Sequence, residues 1–67
     1  MSTLKKIAVN IIEKRNEKEY SQEKLAFKAD IDRSNFAKIE LGDRNFKIST
    51  LLKIAEALEV DAKILLE

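Results

Sequence analysis

Cysteine and histidine are both absent from these 67 residues, and glycine occurs once, at Gly42. Without cysteine there is no disulfide framework, and without either residue there is no thiolate or imidazole metal site, so nothing argues for an oxidising compartment. A glycine-rich phosphate loop is missing too, and no carboxylates are paired in an apolar setting, which leaves an enzymatic reading little to stand on. A chain this short can scarcely enclose a pocket. No apolar run approaches the roughly 18 residues of a membrane span. The first residues, MSTLKKIAVNIIEKRNEK, turn charged again before a signal-peptide core could finish. The expectation is one small domain, cytoplasmic and not exported, that needs no membrane, no metal and no cofactor. A single core of this size gives only about 3–5 kcal/mol without extra staples.

Charge of one sign is lacking as well. Thirteen basic residues face twelve acidic ones, a net charge of +1, far from the excess of a nonspecific polyanion coater. Distribution is more informative than the total. From Arg33 to Lys47 the basic residues are Arg33, Lys38, Arg44 and Lys47, against Glu40 and Asp43. With Glu40 occupied internally, that stretch is locally positive. The last turns, carrying Glu56, Glu59, Asp61 and Glu67 against Lys53 and Lys63, are mildly acidic.

What is present is helical patterning. Leu4, Ile7, Ala8, Ile11 and Ile12 recur at helical spacing with Lys5, Lys6, Asn10, Glu13 and Lys14 between them, so a first amphipathic helix closes the core. Ser21 can cap a second helix, with Tyr20 and Leu25 as a hydrophobic staple. The same layout returns at Asp32, where Ile31 and Phe36 form the staple and the helix runs to Gly42, a natural left-handed stop. Ala26 is small where two helices would cross, and Leu25, Ala29, Ile31, Phe36 and Ile39 supply the apolar seam. Two short helices at an angle, joined by a tight turn, make a helix-turn-helix over residues 21–42.

Gln22, Leu25-Ala26, Ile31, Phe36, Ile39-Glu40 and Gly42 resemble, at the right spacings, the phage repressor and Cro-like (XRE-type) helix-turn-helix family. Leu51 to Leu58 followed by Val60-Asp61 is similar to that family's fourth helix and the start of its fifth, so the resemblance spans roughly Leu4 to Leu66. Phe46 stands where many members have proline. With Ile48 and the run Asp32-Arg33-Ser34, it is similar to the small controller proteins of restriction–modification systems.

The resemblance implies an all-α, five-helix domain that binds double-stranded DNA. It pairs Arg15 with Glu40; a random arginine and glutamate would simply be solvated, and the spacing favours the pair. It places helix 33–41 in the major groove. Base-reading positions fall on Arg33, Ser34 and Lys38, with Asn35 and Ala37 as weaker candidates; Arg33 or Lys38 can contact guanine, and Ser34 a base or a phosphate. Gln22 and Ser21 at the start of helix two, then Arg44, Asn45 and Lys47 after helix three, are expected on phosphates, which fix register. Glu19, Asp30 and Glu59 replace glycines common in the family. If these sites keep positive φ, each side chain is strained by roughly 1 kcal/mol; otherwise the loops are reshaped.

Ile48, Leu51, Leu52, Ala55 and Leu58 read as the core stripe of helix four. Asp61 can cap a last short helix in which Leu65 closes the core, leaving Val60, Ile64 and Leu66 as candidates for a homodimer surface; fraying is the alternative. A dimer would set two recognition helices about 34 Å apart on a near-palindromic operator. The function implied is a homodimeric transcriptional repressor or activator, with RNA polymerase as a further partner where it activates. The reading kept beside it is a helical protein-interaction module, such as an antitoxin or co-regulator, using Phe27, Leu41 and Phe46 as apolar surface.

Overall fold

The computed structural model describes residues 2–67. Among them the elements are α1 (Thr3–Glu17), α2 (Gln22–Lys28), α3 (Arg33–Leu41), α4 (Ile48–Leu58) and α5 (Ala62–Leu66), with no strand. The fold is all-α. Among the described residues no helix is long and apolar enough to cross a membrane.

Capping side chains start four of the five helices. Ser2 Oγ accepts from the Lys5 N–H, Ser21 Oγ from Lys24, Asp32 Oδ2 from Asn35 and Asp61 Oδ1 from Lys63. Each bond satisfies an orphan donor of a first turn. Only α4, preceded by Lys47, has no side-chain cap.

Helix ends are equally regular. Glu19, Asp30 and Glu59 all have positive φ, at 60, 57 and 60°. The three glycine replacements therefore keep the left-handed backbone, and the loops are not reshaped. The reason is the hydrogen bonding that follows: Tyr20 N–H donates to Arg15 O, Ile31 N–H to Ala26 O and Val60 N–H to Ala55 O, at 3.1, 2.9 and 3.0 Å. These six-to-one bonds close the ends of α1, α2 and α4 and hold each strained residue in place. Gly42 ends α3 with φ 76° and has a second constraint. A Cβ there would lie 2.9 Å from both Cα and Cγ of Lys5, so α3 ends against the first turn of α1.

The core takes Ile7 and Ile11 from α1, Leu25 and Ala26 from α2, Phe36 and Ile39 from α3, and Leu65 from α5, together with the inner face of α4. Burying each of the larger side chains contributes about 1.5–3 kcal/mol. The face of α4 differs from expectation. Leu51, Ile54, Ala55 and Leu58 are buried, whereas Ile48 and Leu52 are 68% and 52% exposed. Leu51, Ala55 and Leu58 are buried as expected; Ile48, Leu51, Leu52, Ala55 and Leu51, Ile54, Ala55, Leu58 both have i, i+3, i+4, i+7 spacing, and packing against α2 and α5 selects the second. Phe46, expected at the surface, is half-buried against the core. Leu65 is fully buried, and Asn10 Nδ2 donates to Leu65 O and Glu67 O at 3.0 and 3.3 Å, which fastens α5 to α1 rather than leaving it frayed.

Candidate nucleic-acid interface

The turn between α2 and α3 is built from short-range chemistry. Asp30 takes the left-handed conformation, Ile31 turns its side chain partly inward, and Asp32 starts α3. The Asp32 carboxylate accepts from the Ser34 hydroxyl at 2.6 Å and from the Asn35 N–H at 3.2 Å. Those two donors, the hydroxyl foremost, hold its pKa below the ordinary 3.8. α3 is thereby fixed at its leading end.

Its rear is fixed by charge. Phe36, Ile39 and Glu40 form the buried face of α3. Arg15 of α1 reaches Glu40 through Nε to Oε2 at 2.8 Å and Nη2 to Oε1 at 3.2 Å, and its Nη1 donates to Tyr20 O at 2.9 Å. Gln22 Nε2, from the first residue of α2, donates to Glu40 Oε1 at 2.7 Å. One carboxylate thus joins three helices. No buried polar side chain is left without a partner among the described residues.

The opposite side of α3 is open. Arg33, Ser34, Asn35 and Lys38 are exposed and Ala37 is half-buried. Among the described residues the ion pairs are Lys14–Glu17, Arg15–Glu40 and Lys18–Glu59. Arg33, Lys38, Arg44 and Lys47 consequently keep uncommitted positive charges along α3 and the loop after it. A polyanion can be met there without first breaking an ion pair.

This arrangement has known counterparts. The family model described as "Helix-turn-helix" matches residues 11–65. The chain belongs to that helix-turn-helix family. It is 47% identical over 47 residues to the control protein C.BamHI of Bacillus amyloliquefaciens, a match covering 70% of this chain and 58% of that one. It therefore spans less than two thirds of the length of that curated relative. Among solved structures it is similar to the restriction-modification controller protein C.AhdI from Aeromonas hydrophila, at 39% identity and a TM-score of 0.89 over 92% of this chain and 94% of that one. A hypothetical transcription factor, NHTF, from Neisseria superposes with a TM-score of 0.95 at 33% identity, covering 98% of this chain and 76% of that one.

Within this helix-turn-helix protein, most of the expected site residues are exposed on α3 and on the loop after it. Arg33, Ser34 and Lys38 share the exposed face of α3. Gln22 gives one amide N–H to Glu40 and keeps the second. Ser21 Oγ accepts the Lys24 N–H as a cap and keeps its own O–H donor. Arg44, Asn45 and Lys47 are exposed beside α3, on a loop anchored by Phe46. Of the candidate dimer residues, Val60 is half-buried against the core and Ile64 is half-buried, whereas Leu66 is 49% exposed. Ile48 and Leu52, expected in the core, form an exposed apolar pair on α4. Among the contacts with no sequence signal is that of Arg44, whose Nη1 donates to Asn35 Oδ1, across a loop whose path only folding sets.

Proposed function

We propose that this chain is a sequence-specific DNA-binding transcriptional regulator that binds a near-palindromic operator as a homodimer, with α3 in the major groove. The observation that carries it is the two-sidedness of α3. Phe36, Ile39 and Glu40 lock one face, while Arg33 and Lys38 stand free on the other, with Ser34 exposed beside them and its hydroxyl proton given to Asp32. A rigid helix with uncommitted donors on its leading turns can read base edges, Arg33 as a bidentate partner of guanine O6 and N7. Asn45 and Lys47, with Ser21, Gln22 and the backbone N–H groups beside them, serve as the phosphate-contacting set. Similarity to controller proteins supports the regulatory reading.

Repression follows from occupying promoter DNA, and activation would add a contact with RNA polymerase. The dimer surface is drawn from apolar side chains left uncovered, Leu66 on α5 and Ile48 and Leu52 on α4. Phe27 on α2 and Leu41 on α3, 85% and 64% exposed, favour a protein partner as the main ligand instead.

Selection of binding sites from a random duplex pool tests the reading. A two-fold-symmetric motif that relaxes at one position per half-site in Arg33→Ala supports it, with a loss of about 1–3 kcal/mol at that position. Binding that is purely salt-driven, without a motif, would sink it and bring the Phe27 reading forward.

A further inference from the structure

Arg44 lies outside the recognition helix, yet its side chain does not run out along the loop. Nη1 donates to Oδ1 of Asn35, the third residue of α3. In helix-turn-helix proteins the first turn of the recognition helix is the part that reaches base edges. A guanidinium held on Asn35 is therefore carried to the leading end of α3.

Three features make that position more than a solvated charge. The loop is not free to wander, because Gly42 ends α3 against Lys5 and Phe46, two residues after Arg44, is packed on the core. No carboxylate pairs with Arg44 among the described residues. Asn35 takes one N–H of Nη1 only, so the edge formed by Nε and Nη2 retains two parallel donors. That fork matches guanine O6 and N7, which an ammonium cannot address in the same way.

We infer that Arg44 is a base-reading residue, oriented by Asn35, and not one of the phosphate contacts. Asn35 is then a positioning residue that acts through Arg44. The inference rests on the DNA-binding reading above. It gives each protomer a second reading arm, from the loop, beside the Arg33 and Lys38 set on α3.

The test is site selection followed by anisotropy titration of the purified chain on the selected duplex, with circular dichroism melts to verify that the variants fold. Arg44→Ala should relax one base position distinct from the one relaxed by Arg33→Ala. Affinity for the selected site should fall roughly 5- to 150-fold, with a much smaller change on unrelated duplex. Arg44→Lys should not restore the motif, since it keeps the charge and loses the fork. Asn35→Ala should blur the same position, and should add nothing in an Arg44→Ala background. If Arg44→Ala weakens all duplexes alike, lowers the salt slope by about 1 and is rescued by lysine, Arg44 is a phosphate contact and the inference is overturned. If the unaltered chain selects no motif, the DNA-binding reading itself fails and the inference falls with it.

Discussion

Arg15 and Glu40, on helices 25 positions apart in sequence, meet through two hydrogen bonds of 2.8 and 3.2 Å. Their side chains are 15% and 3% exposed. A pair so enclosed is defined less by what it adds than by what its halves cost alone. Removing one partner strands a charge in the interior at about 3–5 kcal/mol. A single-core domain of this size has about the same total. Glu40→Ala should therefore be largely unfolded at room temperature, which far-UV circular dichroism would show directly. Gln22→Ala leaves the ion pair intact and removes one hydrogen bond to the carboxylate. It should lose about 1.5–3 kcal/mol in urea denaturation and still fold. A well-folded Glu40→Ala with native stability would contradict this account of the junction.

Gly42 and Glu19 share a left-handed backbone and should respond in opposite directions to substitution. Gly42→Ala meets Lys5 at 2.9 Å as well as the unfavourable φ. Its expected cost is about 2–4 kcal/mol, divided between the left-handed backbone and the displacement of α1. Glu19 is exposed with φ 60° and makes no ion pair among the described residues. Glu19→Gly should gain about 1 kcal/mol by removing the clash of a Cβ with its own backbone. Thermal melts of the two variants measure both signs, and a stabilised Gly42→Ala would be the decisive contrary result.

Asp32 gives the leading end of α3 an acid limit. Its pKa is lowered in the folded state, first by the Ser34 hydroxyl and then by the Asn35 N–H. A depressed carboxyl pKa contributes stability that is fully present above the ordinary value of 3.8 and is lost as pH falls through the folded value beneath it. Carbon-detected titration of the Asp32 carboxyl should give a midpoint below 3.8, moving up toward the ordinary value in Ser34→Ala. Asp32→Asn keeps an acceptor for the Asn35 N–H and should flatten this part of the acid limb in urea melts. A midpoint unchanged by Ser34→Ala would remove the hydroxyl as the cause.

Much of this molecule was legible because much of it is local. Caps such as Ser21, Asp32 and Asp61 act within three residues of themselves. The helix-turn-helix and the bounds of α3 could be read from spacing for the same reason. Glu19, Asp30 and Glu59 were open in sequence, because whether a side chain accepts a left-handed φ depends on the bonds that close the helix end behind it.

The sequence by itself determined the helices, their class and the run of basic residues from Arg33 to Lys47, since periodicity, caps and charge placement are properties of short stretches. Tertiary structure alone decided which face of α4 is buried, because Ile48 and Leu52 satisfy the helical period as well as Ile54 does. It also decided what three long side chains do: Gln22 turns inward to Glu40, Phe46 anchors its loop, and Arg44 reaches back to Asn35. A long polar side chain commits to whichever partner the fold brings within about 3 Å, and that distance belongs to the packing of helices rather than to any segment of the chain.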